Sequence, residues 1–294
     1  MREIKGISIV IPCFNEEESV ESTINALIKL FRDVKIKTEI IAVDDSSTDN
    51  TQKILRKIKE DFKELKIISN ELNFGYGYSL KVGIKNSKYD YIAIIDADGT
   101  YPVEEFREFF PYIGAYDMVV GIRTKKGVKI PLLRKPAKWF LNKFSSFIAQ
   151  RKIRDVNTGM RIFKKELVLR YWKLFPDRFS FTTTLTLSSI IGKNRIKEIE
   201  INYHKRKGKS KINPLKDTYN FIMLILRITM LFNPLRIFVP IFMLFSFFTT
   251  ISIARDLYNV NLSDTTVILF LFSILILMMG LIADLIIKAL NLFD

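Results

Sequence analysis

Apolar positions along the first half of the chain follow two alternating periods. The runs Ile7 to Ile11, Glu39 to Val43, Leu65 to Ile68, Tyr91 to Ile95 and Met118 to Val120 read as short strands. Between them apolar residues recur every three or four positions. Val20, Ile24, Leu27 and Ile28 share one face of a helix over 17–31, and Thr48-Asp49 opens another through Ile54, Leu55 and Ile58. A turn at Gly75 and Gly77 precedes a helix to Lys85, and Pro102 reads as the first-turn proline of a further helix. Strand and helix in alternation predict an α/β fold, a mostly parallel sheet covered on both faces.

After Gly121 the alternation weakens. Arg123 to Lys138 is basic and contains Pro131 and Pro136, which reads as a mobile loop over the sheet edge. Helices are expected over 138–150 and 182–191, around an irregular stretch at 155–163, with a further strand over 195–203. Three apolar segments close the chain. Residues 219–232 are interrupted by Arg227 and begin beside a basic stretch, the pattern of a helix lying in a membrane interface. Residues 237–254 carry no charge and 266–287 only Asp284, and each run is long enough to cross a bilayer. The expected division is a globular domain over 1–212, juxtamembrane helices over 213–235 and a two-helix transmembrane hairpin over 236–294.

Charge sharpens this division. The chain has 46 Lys and Arg against 31 Asp and Glu, a net +15, yet only Arg236, Arg255 and Lys288 of those cations lie in the apolar tail. A basic domain on an apolar tail suits an anionic membrane surface and phosphate-bearing substrates. Nucleic acid is the rival explanation of the charge. The chain shows no zinc-finger or RNA-recognition signature, so no nucleic-acid partner is expected. Cys13 is the only cysteine and His204 the only histidine, which excludes an internal disulfide and any thiolate or imidazole metal cage.

Nothing near Met1 resembles a secretion signal. The loop from Arg255 to Asp264 carries one basic residue, whereas Arg236, Lys288 and the basic domain lie at the other ends of the spans. Positive-inside logic then expects an integral membrane protein, in a prokaryotic plasma membrane, with its domain and both termini in the cytosol.

The candidate chemistry gathers at strand ends. Asp96-Ala97-Asp98 follows the strand from Tyr91, where open α/β sheets bind their ligands. Unpaired carboxylates are too costly to bury there. The residues allow two readings: oxygen ligands for Mg²⁺ or Mn²⁺ shared with a diphosphate, or a plain Asp-Gly turn at Gly99. Pro12-Cys13-Phe14-Asn15-Glu16 and Asp44-Asp45-Ser46-Ser47-Thr48-Asp49 end the first two strands at the same edge. A carboxylate there can bind base N–H or ribose hydroxyl groups, while Ser47, Thr48 and Asp49 also suit helix capping. No Walker loop or G-x-G-x-x-G follows the first strand, which disfavours a P-loop or ordinary dinucleotide fold.

Taken together, Ile11 to Glu16, Val43 to Asp49, Asn73-Phe74-Gly75 and Asp96 to Gly99 resemble the family 2 glycosyltransferases, inverting enzymes of the GT-A fold. Val119 to Arg123, Asn157 to Phe163, Arg206 to Lys211 and Pro234-Leu235-Arg236-Ile237 narrow the resemblance to polyprenyl-phosphate glycosyltransferases of the dolichyl-phosphate mannose synthase kind. The resemblance implies that Pro12, Phe14, Glu16, Asp45 and Asp96 contact the nucleotide, and that Asp98 with Asp96 holds Mg²⁺ or Mn²⁺. It places Arg123, Arg134 and Arg206 beside the reacting phosphates, with Lys209 and Lys211 toward the acceptor lipid. Three departures stand out: Thr100 replaces a frequent glutamine, Cys13-Phe14 a common Thr-Tyr, and Pro136 and Lys138 change the loop after Arg134.

The implied reaction moves one sugar from a nucleotide-diphosphate sugar, of the GDP-mannose or UDP-glucose type, to a polyprenyl phosphate among the membrane lipids. A lipid phosphate is already an anion, so no general base is needed. Two other functions stay open: transfer to a lipid or glycan hydroxyl, and a non-catalytic nucleotide-sugar-binding membrane subunit. Paired hairpins would also suit a homo-oligomer. Phe179 to Thr182 reads either as the acceptor side of the cleft or as core filling.

Overall fold

The structure, a computed structural model, describes residues 5–34, 36–125, 143, 146–147, 151–177, 180–204 and 214–289. It forms two compact units, Met1–Phe221 and Ile222–Asp294. The first is built on seven strands: β1 Ile7–Cys13, β2 Thr38–Asp44, β3 Leu65–Ser69, β4 Tyr91–Ile94, β5 Met118–Ile122, β6 Arg161–Lys164 and β7 Ile196–Glu200. They lie in the order β3-β2-β1-β4-β6-β5-β7. β6 runs antiparallel to β4 and β5, and every other pair is parallel. The mostly parallel α/β sheet read from the periodicity is the sheet observed.

All seven residues of β1 are buried, as a strand covered on both faces requires. Helices α1 Val20–Asp33, α2 Thr51–Asp61 and α3 Tyr76–Lys85 follow β1, β2 and β3. Val20, Ile24 and Leu27 of α1 enter a core with Ile9, Ile11, Leu55, Phe106 and Phe109. Fully burying one such side chain stabilises by about 1.5–3 kcal/mol. Two further helices, α4 Lys165–Arg170 and α5 Phe181–Ile191, follow in this unit, with short 3₁₀ turns. Phe181, at the start of α5, is fully buried and stacks on Phe175 at 4.4 Å, so it fills core.

The elements depart from the periodicity in three places. β6 lies in the stretch expected to be irregular, because a strand that buries Arg161 beside Ile162 and Phe163 has no apolar signature. Pro102 caps a 3₁₀ helix over Val103–Glu108 in place of an α-helix, and a second begins at Phe110. Pro111 lacks the N–H that would carry an α-helix onward. The expected strand over 195–203 shortens to 196–200. Of the helix expected over 138–150, only residues 143, 146 and 147 are described, and they are helical.

Helix α6 Pro214–Phe232 leads into the second unit, which contains α7 Leu235–Tyr258 and α8 Asp264–Ala289. The helices α7 and α8 have 24 and 26 residues and are long and apolar enough to cross a membrane. At 1.5 Å per residue they exceed the roughly 30 Å of a bilayer core. Their connection is polar. Asp256 accepts the Ser263 N–H at 2.8 Å and the Thr266 hydroxyl at 2.6 Å, which satisfies donors at the start of α8.

Candidate functional site

The loops after β1 and β2 are stitched together residue by residue. The Asn15 N–H donates to Ser47 Oγ at 3.0 Å, and Asn15 Oδ1 accepts the Thr48 N–H at 2.8 Å. The Glu16 N–H reaches Thr51 Oγ1 at 2.8 Å, and the Glu17 N–H reaches Asp49 Oδ2 at 3.1 Å. Glu17 in turn accepts the backbone N–H and the side-chain amide of Asn50 through its Oε2. These polar groups bind across the two loops, so α1 and α2 begin about one turn later than periodicity predicts.

Pro12 is buried near the end of β1. The Cys13 carbonyl faces β2, where it accepts the Asp45 N–H at 2.8 Å, so the Pro12 backbone faces β4. The β4 ladder has already ended at Ile94 opposite Val10, and the missing donor costs no sheet bond. Phe14 and Glu16 follow it, half-buried at the edge.

Asp45 is 3% exposed and organises the loop after β3. Its Oδ1 accepts the Asn70 side-chain amide at 2.7 Å and the Phe74 N–H at 3.1 Å, and its Oδ2 accepts the Gly75 N–H at 2.8 Å. Gly75 has φ 106°, a left-handed value that a side chain would strain. This bend starts α3 and aims Tyr76 at the next carboxylate.

Asp96 and Asp98 stand past the end of β4. Asp96 Oδ1 accepts the Tyr76 hydroxyl at 2.9 Å. Gly159 packs on the same carboxylate: an added Cβ would sit 2.6 Å from Asp96 Oδ2 and 2.9 Å from Oδ1. Asp98 is 7% exposed, and its Oδ1 accepts both the N–H and the hydroxyl of Thr100, at 3.1 and 2.6 Å. Thr100, which departs from the family pattern, therefore orients Asp98 from a fully buried position.

Arg123 leaves β5 at the same edge. Its Nε and Nη2 bind Asp155 at 2.7 and 2.8 Å, and Nη2 also donates to the Asn157 carbonyl at 3.0 Å. Burial opposes the charge, but Tyr101 and Asp155 outweigh it and hold the guanidinium pKa above its usual value. The guanidinium carbon also lies 5.1 Å from the ring centre of Tyr203, which meets Tyr101 edge-on. Among the described residues Nη1 of Arg123 takes no hydrogen-bond partner.

The edge thus gathers Pro12, Phe14, Glu16, Asp45, Asp96, Asp98 and Arg123 onto one unit. Arg134, Arg206, Lys209 and Lys211 lie outside the described residues. Pattern reading alone missed Tyr76, Tyr101, Asp155 and Tyr203, whose roles depend on contacts between distant segments. The Gly in Asn73-Phe74-Gly75 was the available signal for Tyr76, since a forced bend fixes the side chain after it.

Among the described residues no group of three or more His, Cys, Asp and Glu side chains is arranged to hold a metal ion. Two hard carboxylates fit Mg²⁺ or Mn²⁺ if substrate phosphates and water complete the shell, the usual arrangement for these ions.

The sheet order and the acidic edge define an α/β protein of the GT-A fold. Residues 8–172 match the model for Glycosyl transferase family 2, and this chain belongs to that family. Residues 233–288 match a second model, the GtrB C-terminal hairpin. The dolichyl-phosphate hexose transferase of Haloferax volcanii is 27% identical over 210 residues, 71% of this chain and 87% of that protein. The poly-beta-1,6-N-acetyl-D-glucosamine synthase of Staphylococcus epidermidis is 32% identical over 134 residues, and the matched part spans 31% of its length. Glucosyl-3-phosphoglycerate synthase from Mycobacterium tuberculosis, solved with Mn²⁺, uridine diphosphate and phosphoglyceric acid, superposes with a TM-score of 0.58 at 17% identity. That superposition covers 76% of this chain and 78% of the synthase, and it shows the fold.

Proposed function

We propose that this protein transfers a monosaccharide from a nucleotide-diphosphate sugar, of the GDP-mannose or UDP-glucose type, to a polyprenyl phosphate, with inversion at the anomeric carbon. The observation that carries the reading is the pair Asp96 and Asp98 at the open sheet edge, each oriented by a hydroxyl of its own chain. Family membership and the GtrB-type hairpin support it, as does the hexose transferase relative.

Asp96 and Asp98 would hold Mg²⁺ or Mn²⁺ against the diphosphate, where the ion neutralises the charge of the leaving group. Pro12, Phe14 and Glu16 line the nucleotide side. Asp45 keeps a lone pair for the nucleoside beyond the three bonds it accepts from its own chain, since a carboxylate offers about four acceptor sites. Nη1 of Arg123 meets a phosphate, and Arg134, Arg206, Lys209 and Lys211 add the charge that brings a second anion close. An oxygen of the lipid phosphate attacks the anomeric carbon as its bond to the diphosphate oxygen breaks. The acceptor is already ionised, so no proton has to be removed. Helices α7 and α8 anchor the enzyme in the membrane with its domain and both termini in the cytosol, in line with the excess of cations on that side.

The test is transfer of label from GDP- and UDP-sugars to polyprenyl phosphate by the purified full chain in detergent with Mn²⁺. We expect a lipid-linked monosaccharide that disappears with EDTA and in Asp98→Ala. Transfer only to hydroxyl lipids or glycans would replace the proposed acceptor, and nucleotide binding without transfer to any acceptor would make this a binding subunit.

A further inference from the structure

Among the described residues Arg161 is the largest fully buried side chain, and no carboxylate pairs with it. Burial pulls its pKa down to about 10, which still leaves it charged at neutral pH. A buried unpaired cation is costly, and an apolar residue would fill β6 at lower cost. What Arg161 touches gives the reason for its presence.

Its Nη2 donates to the Thr158 carbonyl, and its Nη1 donates to the Thr182 carbonyl at 3.1 Å and the Thr186 hydroxyl at 3.0 Å. The Thr158 carbonyl belongs to the same peptide unit as the Gly159 N–H. That N–H donates to the buried Tyr101 hydroxyl at 2.7 Å. One peptide plane is therefore held at both polar ends, by a guanidinium on one side and a phenol on the other. The Cα that follows it is Gly159, packed so tightly on the Asp96 carboxylate that no side chain fits between them. The same turn carries Asp155 and Asn157, both gripped by Arg123.

We infer that Arg161 is a positioning residue: by locking the Thr158–Gly159 peptide against Tyr101, it fixes the wall that sets the Asp96 carboxylate toward cation and nucleotide. The inference rests on the metal-binding role proposed for Asp96. A lysine at this position keeps the charge but cannot span the Thr158 carbonyl and the start of α5 together. Tyr101→Phe releases the other end of the same peptide and leaves the guanidinium in place.

The experiment measures binding of Mn²⁺ with UDP and with GDP to the full chain in detergent by calorimetry, beside kcat and KM, for wild type, Arg161→Lys and Tyr101→Phe. Removing an outer support of a metal ligand weakens metal affinity by roughly 10–100-fold. We expect a loss of that size per folded molecule in both variants, a raised KM for the sugar nucleotide, and no change in the number of sites. Folded variants that bind Mn²⁺·nucleotide as wild type does would overturn the inference and leave the proposed reaction intact. Wild type that binds but transfers no sugar would sink the reaction alone, because the affinity comparison still reads the positioning. Wild type that binds neither nucleotide would remove both.

Discussion

Tyr76 donates its hydroxyl to Asp96 across 2.9 Å, and the two residues come from different crossings of the sheet. The contact depends on Asp45, which holds the Gly75 N–H and so fixes the bend just before Tyr76. Burial, together with the nearby Asp96 charge, raises the phenol pKa well above its usual value and keeps it a donor. A hydrogen bond to a charged group is worth about 1.5–3 kcal/mol. We expect Tyr76→Phe to lower kcat/KM by about 10-fold or more, at 1.36 kcal/mol per decade, and to cost about 1–3 kcal/mol of stability. Unaltered steady-state kinetics would mean that Asp96 is oriented without the phenol.

Cys13 supplies a clean probe of the first unit, since it is the only thiol in the chain. It is 1% exposed at the end of β1, and burial, reinforced by Asp44, raises its pKa. Thiolate is the reactive form, so native protein should resist iodoacetamide at pH 8 and react fully once denatured. Rapid labelling of the folded chain would contradict the packing of β1.

Asp117 precedes β5 and accepts Lys164 Nζ and the Arg195 N–H, both at 2.8 Å. Burial opposes its ionisation, but the bonds from Lys164 and Arg195 prevail and hold its pKa below the usual 3.8. A lowered carboxylate pKa stabilises the fold above the unfolded value, and that gain is lost as pH falls through the folded one. The Lys164 pKa is raised, chiefly by its bond to Asp117, so its share is lost only as pH rises through the folded lysine value. Asp117→Asn should therefore cost about 1–3 kcal/mol near neutral pH and almost nothing below the folded carboxylate pKa. Thermal unfolding across pH reads this directly, and a pH-independent difference would refute the sign.

Gly280 of α8 lies against Phe238 of α7, where an added Cβ would sit 2.7 Å from the Phe238 Cβ. Overpacking of this kind costs about 1–3 kcal/mol. Gly280→Leu should lower the unfolding midpoint of the full chain in detergent, whereas Cys13 should remain protected at lower temperature. Equal midpoints for wild type and variant would show that the two helices part without cost.

Much of this architecture was legible from residue order. The β-branched runs ending in Asp44-Asp45 and in Asp96-Ala97-Asp98 marked both the sheet and its acidic edge, because apolar strands and the carboxylates at their ends leave opposite signatures. The β6 strand was not legible, since Arg161 breaks its apolar pattern and its partners lie far away in the chain. Arg123 was expected as a phosphate ligand from the family resemblance. Its grip on Asp155 and the Asn157 carbonyl could not be read, because the turn that holds them returns to the edge only when β6 inserts between β4 and β5.

Local sequence alone determined the fold class, the two long apolar helices and the acidic edge, since hydrophobic period and residue chemistry act over a few neighbouring positions; the family came from the resemblance its motifs carry. Tertiary structure decided which groups hold those carboxylates: Tyr76 and Gly159 around Asp96, Thr100 on Asp98, Arg161 and Tyr101 at the two ends of one peptide. Hydrogen bonds are short and directional, so the partners of a side chain are set by where the folded backbone delivers them, and spacing along the chain does not encode that.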